Sequence, residues 1–359
     1  MSVKALCRQS VHVKRMATSL SNSAWIAWVS SLMGGVSRHT LAATYPSDRF
    51  YCLLDELPLH LVPRPARKLL SSVPDDRYAL TLNPECDLHP AGNFPGEINA
   101  PQELRSAFAD QGTIAWVRSS TGALLPFWLG PRLEAVVNEM RSGKSIPASL
   151  SNELIAVLTA AGILIPKGKQ SERRSDAVSN AALLFRGKGY APLPLLLHPF
   201  HVAAIRRYYR SLIRKGSVHL GDAQSPLRYV IHNEPVARLF HEQLTGIMSN
   251  VAGEPVKPSY VYLASYLGGA ELEKHIDREQ CEFSITLSLD FSPEPDLATP
   301  WPIFLQTSTG TVAVHQALGD GLAYCGTRLP HFRHPLGPGQ TSTSIFFHYV
   351  AADFKGPLS

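Results

Sequence analysis

The chain has 359 residues, of which 45% are hydrophobic and 18% are charged, as in an ordinary globular protein with a sizeable core and room for two or three domains. The formal net charge of +5 is mild and comes partly from a basic N-terminus, so it argues against a nucleic-acid partner. The five cysteines are widely spaced and form no CxxC pair, which favours reduced thiols and a cytoplasmic protein.

Residues 1–45 begin with a basic segment and contain an apolar run over residues 24–33. The run is too short to span a bilayer, so no membrane partner is expected. A signal or transit segment is one interpretation, since no acidic residue precedes Asp48. We prefer a poorly ordered extension, with Met16 or Met33 as the working start.

Residues 46–166 are predicted to form a smaller accessory α/β domain. A strand is expected at residues 113–118, followed by a helix at 131–140 whose apolar residues recur at helical spacing. Ser149 or Ser151 can cap a second helix that ends near residue 161, and a strand follows.

The strand, helix, helix, strand order over residues 113–166 resembles a small winged helix. It is also similar to the PqqD-like modules that accompany enzymes modifying ribosomally made peptides, and that resemblance implies peptide or protein binding by the N-terminal domain. An accessory cap is the alternative we prefer. DNA binding is disfavoured, because residues 151–161 contain no lysine or arginine.

Residues 167–180 are polar and charged, which predicts a linker, and the following domain, residues 181–359, is expected to begin with helices. Residues 199–215 and 234–251 are both amphipathic, and Pro235 suits a first helical turn. The first of these helices carries a row of basic residues: Arg206, Arg207, Arg210 and Arg214. We interpret this row as a solvated face; a docking surface for an acidic substrate is the less favoured alternative.

From residue 259 onward the pattern changes to short β runs. Residues 259–266 are rich in aromatic side chains, and residues 282–290 alternate polar and apolar. Further runs, separated by proline and glycine clusters, lie at residues 303–305, 312–314, 321–324 and 342–350. Such a series predicts an antiparallel barrel or jelly roll with packing helices, within an overall α+β fold.

One motif in this region carries chemistry. His275 and Asp277 form a His-x-Asp pair, and on a strand residues i and i+2 point to the same face. With a second, distant histidine the pair makes the two-histidine, one-carboxylate set that binds Fe(II) and leaves coordination positions open. His331 and His334 are both candidates for that third ligand. A chance pairing, with Asp277 bridging a neighbouring lysine or arginine, is the competing interpretation.

The last 95 or so residues resemble the double-stranded β-helix core of Fe(II)/2-oxoglutarate-dependent oxygenases, in their prolyl-hydroxylase-like branch. The resemblance is carried by Tyr266, the pair at 275 and 277, residues 319–324, His331 with Pro335, Gly339 and the final apolar strand. It implies metal roles for His275, Asp277 and His331. It also implies 2-oxoglutarate and O2 as cosubstrates, and hydroxylation of a C–H bond in a peptide, an amino acid or a small metabolite.

The chain departs from the family at one point. The family usually has an arginine or lysine nine or ten residues after the distal histidine, where Gln340 and Thr341 stand here. A buried carboxylate of the cosubstrate needs a cationic partner. We expect Arg333 to supply it, with Tyr266 and Thr341 adding hydroxyl groups. Weaker candidates are Arg278 and Arg328.

Two other functions stay open. The missing cation at residues 340 and 341 is compatible with a cupin-like, non-catalytic metal-binding or scaffold protein. A metal-dependent dioxygenase that uses no 2-oxoglutarate is the third possibility. Metal content separates the scaffold from the enzymes, and O2 uptake without succinate identifies the third class.

Overall fold

A computed structural model of the chain describes residues 49–71, 77–98, 112–119, 123–168 and 176–358. No helix within these ranges is long and apolar enough to cross a bilayer. The extension predicted for residues 1–45 and half of the predicted linker, residues 169–175, lie outside the described residues.

The N-terminal unit is a small α/β assembly. Its helices and strands are α1 (Arg64–Arg67), β1 (Leu80–Leu82), β2 (Asp87–Pro90), β3 (Thr113–Arg118), β4 (Leu124–Leu129), α2 (Pro131–Arg141), α3 (Asn152–Ala160) and β5 (Leu164–Pro166). Strands β2, β3 and β4 form one antiparallel sheet, and β5 returns to pair with β1. Pro131 occupies the first turn of α2, where its missing N–H costs nothing, and the Ser151 hydroxyl caps α3.

The C-terminal unit combines three longer helices with eleven strands. They are α4 (Asp176–Lys188), β6 (Tyr190–Leu193), α5 (Pro199–Arg214), β7 (His219–Leu220), β8 (Arg228–His232), α6 (Pro235–Ala252), β9 (Val256–Leu267), β10 (Leu272–His275), β11 (Phe283–Ser292), β12 (Ile303–Thr307), β13 (Gly310–Val314), β14 (Gly321–Cys325), β15 (His331–Arg333) and β16 (Thr341–Ala351). Helix α4 begins at Asp176, so the linker ends earlier than the predicted residue 180.

The C-terminal strands form two antiparallel sheets. The large sheet has the order β6-β14-β11-β16-β9-β8-β7, and the small sheet has the order β10-β15-β12-β13. The small sheet packs on one face of the large one, where Leu305 of β12 clusters with Leu322 and Tyr324 of β14. Helices cover the opposite face, and the Tyr349 hydroxyl of β16 donates to the His241 carbonyl of α6. The predicted mixed class with large antiparallel sheets is therefore confirmed, and β11 and β16 are buried on both faces.

The two units share one hydrophobic core, which runs from Phe50 to Tyr349. Helix α5 makes much of the junction: the His201 Nε2–H donates to the Pro126 carbonyl at 2.7 Å, and the Phe200 ring meets Phe127 edge to face. The predicted boundary around residues 167–180 thus separates segments of the chain but does not separate two independent cores.

Of the four α5 arginines, Arg214 is exposed, but the other three do not form the solvated face that their spacing suggested. Arg206 is 1% exposed and binds Asp290 of β11 at 2.8 Å, and Arg210 binds the same carboxylate at 2.6 Å. Arg207 donates to the Tyr51 carbonyl of the N-terminal unit. The prediction was wrong because the helical pattern does not show that a buried acid faces this row from the neighbouring strand.

Candidate metal centre

Three of the predicted ligands meet at one end of the small sheet. His275 ends β10 and His331 begins β15, and the two are direct partners in the antiparallel register. Their rings lie 4.4 Å apart between centroids. The Nε2 atoms of both histidines lie 3.6 Å from Asp277 Oδ1, and one donor atom from each of the three residues lies within 4.8 Å of the others.

Backbone carbonyls fix the tautomer of both histidines. His275 Nδ1 lies 2.7 Å from the Glu273 carbonyl, and His331 Nδ1 lies 3.0 Å from the Leu329 carbonyl. A carbonyl oxygen can only accept, so each Nδ1 carries the hydrogen and each Nε2 presents its lone pair towards Asp277. This is the arrangement by which proteins orient imidazole ligands to a metal ion.

The charges at this position suit a cation. Burial opposes ionisation of Asp277, but the adjacent His275, His331 and His348 hold its pKa below the usual range. Burial lowers the pKa of His331, which keeps this imidazole neutral and able to coordinate. The Asp277 carboxylate instead raises the pKa of His275.

Gly326 determines where the Asp277 carboxylate lies. The Asp277 amide donates to the Gly326 carbonyl at 2.9 Å, and a Cβ atom at residue 326 would come within 2.4 Å of Asp277 Oδ2. The Ser284 hydroxyl approaches the same oxygen at 3.4 Å. The carboxylate thus fills a space that exists because residue 326 has no side chain.

A buried arginine lies two residues along β15 from His331. Arg333 is 5% exposed, its Nη1 donates to the Trp301 carbonyl at 2.7 Å, and its guanidinium lies 4.5 Å above the Trp301 ring. Its Nε is buried without a partner, and within the described ranges it has no salt bridge to a carboxylate. Burial lowers the pKa of Arg333, an effect partly opposed by the nearby phenols of Tyr266, Tyr324 and Tyr262.

Tyr266 is fully buried on β9 and faces the same space. Its hydroxyl oxygen accepts from Arg228 Nη1 at 3.0 Å, which leaves the phenol hydrogen free to donate elsewhere. Arg228 differs from Arg333, because its Nε and Nη2 both donate to the Asp222 carboxylate. The charge of Arg228 is therefore balanced within the chain.

The remaining predicted residues lie elsewhere. Thr341 pairs with Leu267, one position out of step with Tyr266, whose partner is Ser342, so the Thr341 side chain falls on the opposite face of the sheet. His334 is exposed and packs against Phe304, away from the other ligands.

Two other arginine candidates are also displaced. Arg278 lies over the Tyr260 ring, and Arg328 contacts Cys325. Neither forms a described contact with Arg333 or with the three ligands.

Sequence reasoning missed three contributors to the site. Tyr262 could have been found, because it shares the period-two spacing of Tyr260 and Tyr266. Trp301 and Gly326 stand in irregular segments, where no local pattern indicates a partner.

No sequence-family profile matches the chain, and no curated protein does. Among solved structures it is similar to the non-heme alpha ketoglutarate dependent epimerase SnoN from nogalamycin biosynthesis, with 15% identity over 49% of this chain and 83% of that one, at a TM-score of 0.42. A Pseudomonas putida prolyl-4-hydroxylase matches with 13% identity over 49% and 100%, at 0.41. HygX from Streptomyces hygroscopicus, with nickel, 2-oxoglutarate and hygromycin B bound, matches with 12% identity over 49% and 88%, at 0.41. The solved structures that the chain resembles over about half its length include members of the Fe(II)/2-oxoglutarate-dependent oxygenases.

Proposed function

We propose that this protein is an Fe(II)- and 2-oxoglutarate-dependent oxygenase that hydroxylates a C–H bond of a peptide, an amino acid or a small metabolite. One observation carries the proposal: two imidazole lone pairs and a carboxylate converge beside a buried arginine that has no anionic partner in the described chain. The small sheet packed against the large one is the arrangement expected of a double-stranded β-helix.

His275, Asp277 and His331 would hold the metal. Two neutral nitrogens and one carboxylate oxygen suit Fe(II), and three protein ligands leave positions for a bidentate cosubstrate and O2. When bound, the iron supplies the redox chemistry that couples cosubstrate decarboxylation to substrate oxidation. The chain's own contribution is to present both Nε2 lone pairs, through the carbonyls of Glu273 and Leu329, before any ion arrives.

Arg333 would bind the carboxylate of 2-oxoglutarate that is remote from the metal. A guanidinium presents a planar set of donors that matches a carboxylate, and here one edge is held by the Trp301 carbonyl. The Tyr266 hydroxyl, whose oxygen accepts from Arg228 Nη1, would donate a further hydrogen bond to the same carboxylate. We proposed Thr341 for the same role, but the strand register favours Ser342, which shares the face of Tyr266.

An anaerobic titration tests the proposal. Addition of Fe(II) and 2-oxoglutarate to metal-free protein should produce the weak visible charge-transfer band of an iron–2-oxo acid chelate. His275→Ala should abolish the band, whereas the matched variant His334→Ala should retain it. Wild-type protein that shows no band and releases no succinate in air would overturn the assignment.

The cupin-like alternatives make different predictions. A non-catalytic metal-binding protein should bind the ion but consume no O2, and a dioxygenase that needs no 2-oxo acid should consume O2 without forming succinate. Arg333 favours the oxygenase over both, because an uncompensated buried cation serves no evident purpose in a site that takes no anion.

A further inference from the structure

Asp277 belongs to two groups of potential ligands. Besides His275 and His331, it lies next to Cys281 and His348, and one donor atom from each of Asp277, Cys281 and His348 lies within 4.8 Å of the others. Cys281 ends a short helical turn and is 1% exposed. His348 lies on β16 and is 2% exposed.

The His348 ring has one unused nitrogen. Its Nδ1 lies 2.8 Å from the Ser284 hydroxyl, but its Nε2 is buried without a partner among the described residues. A buried polar atom that makes no hydrogen bond is costly, so native structures usually provide a partner for it. The Asp277 carboxylate and the Cys281 thiol lie close enough to bind the same partner as the His348 ring.

We propose that Asp277, Cys281 and His348 form a second metal site, for a thiophilic divalent ion such as Zn²⁺ or Cd²⁺. A thiolate, an imidazole and a carboxylate are ligands that Zn²⁺ accepts, and sulfur selects soft ions over Fe(II) or Mg²⁺. Ligands of one zinc ion lie up to about 4 Å apart, so the observed separation needs small side-chain rotations only.

The charge balance of the group supports a divalent ion. Coordination requires the thiolate, and the thiol proton leaves to solvent when the ion binds. The carboxylate and thiolate then supply two negative charges and His348 supplies none, which neutralises a divalent cation in a buried place. The Tyr260 hydroxyl, 3.1 Å from the Cys281 sulfur, can donate to the thiolate.

The two sites share one carboxylate but use different sides of it. Asp277 Oδ1 faces His275 and His331, whereas Oδ2 lies beside Ser284, the partner of His348. An ion at the second site would therefore draw on the carboxylate that the first site needs. If His275, Asp277 and His331 bind Fe(II), as the proposed function requires, Cd²⁺ should weaken that binding by at least about tenfold.

The test is a titration of full-length, metal-free protein with Cd²⁺, followed by the ultraviolet charge-transfer band of a cadmium–thiolate bond. One equivalent should saturate the band in the wild type. Cys281→Ser should abolish it, and His348→Gln should weaken Cd²⁺ binding at least about tenfold. The matched variant Cys325→Ser removes another buried thiol and should retain the band.

Persistence of the band in Cys281→Ser would overturn the proposal. So would its loss in His275→Ala, because the sulfur would then bind an ion held by the first site. Circular dichroism checks the fold of each variant; should Cys281→Ser not fold, an unchanged Cd²⁺ affinity in His348→Gln overturns the second site. A cadmium–thiolate band in a protein that shows no iron–2-oxoglutarate band would overturn the proposed function but support the second metal site.

Discussion

Two buried arginines on opposite faces of the large sheet show different ways of holding a cation. Arg206, on the helical side, is 1% exposed and bonds to Asp290 at 2.8 Å, Glu294 at 3.4 Å and the Leu61 carbonyl at 2.6 Å. Arg333, on the side of the small sheet, is 5% exposed and bonds to a single carbonyl beneath three tyrosines and a tryptophan.

Under the proposed function, the difference separates a structural charge from a charge that binds a ligand. A cation buried with carboxylates is balanced in the folded chain, and removing it leaves buried negative charge. Burial opposes ionisation of Asp290, but Arg206 and Arg210 hold its pKa below the usual range. Arg333 has no such partner in the described chain, and under the proposed function the anionic cosubstrate would compensate its charge. Burial alone would not have distinguished the two.

The largest expected effect is on stability and comes from Arg206. Replacement by methionine leaves Asp290 facing one arginine in place of two, and we expect the free energy of unfolding to fall by about 3–5 kcal/mol. Urea denaturation followed by circular dichroism measures it. Arg333→Met should lose less than about 1 kcal/mol in the same assay, because no buried acid is left behind. Equal losses in the two variants would contradict the comparison.

The reverse order should hold for cosubstrate binding. Arg333→Met should raise the Kd for 2-oxoglutarate roughly 30-fold or more, the effect of removing one partner of a desolvated charge pair. Titration of the anaerobic charge-transfer band gives this Kd directly. Arg278→Met, at an exposed arginine that lies over the Tyr260 ring, serves as the control and should leave Kd within about twofold. Wild-type affinity in Arg333→Met would place the anchor elsewhere.

The sequence predicted that His275, Asp277 and His331 come together better than it predicted the residues around them, for a physical reason. His275 and Asp277 stand two residues apart at the end of a strand, so their placement depends on local geometry. The position of His331 opposite His275 follows from the pairing of β10 with β15, which the chemistry of a shared ion made foreseeable.

Residues whose roles depend on register or on distant partners were not predictable in this way. Thr341 and Ser342 differ by one position, and one position decides the face of the sheet. The α5 arginines show a helical stripe, yet nothing local indicates that Asp290 lies across from them. The N-terminal unit was recognised from its elements, but its shared core with α5 arises from contacts such as His201 with Pro126.

Acid should expose a further contrast on α5, which carries the buried histidine His201, without an acidic partner, on the same helix as Arg206. Burial lowers the pKa of His201 to about 4, so this group binds a proton in the unfolded chain near pH 6.5 but resists it when folded. The stability that neutral His201 contributes to the folded state is present above pH 6.5 and is lost as the pH falls towards 4. We expect His201 to lower the free energy of unfolding by about 2 kcal/mol at pH 5 relative to pH 8.

Urea denaturation at the two pH values measures this loss. His201→Gln should remove its share of the pH dependence, because a glutamine does not titrate. An unchanged difference between pH 8 and pH 5 in that variant would show that other groups carry it. Phe200→Leu, at a buried neighbour of His201 that carries no titratable group, controls for lost packing and should leave the pH dependence as in the wild type.

The smallest expected effect extends the comparison to a buried anion. Arg206 is held by charged partners, whereas Asp277 occupies the space left by the missing side chain of Gly326. The Cβ atom of Gly326→Ala would overlap both the Cys281 backbone carbonyl and Asp277 Oδ2, so the backbone at Cys281 would have to shift and the carboxylate would have to turn from the two Nε2 atoms. We expect the affinity for Fe(II) to fall roughly tenfold, measured by competition with a chelator under anaerobic conditions. Gly246→Ala, on α6 with open space around it, controls for loss of a glycine. If Gly326→Ala binds Fe(II) as tightly as the wild type, Asp277 reaches the ion from another direction, and the contact with Gly326 is packing alone.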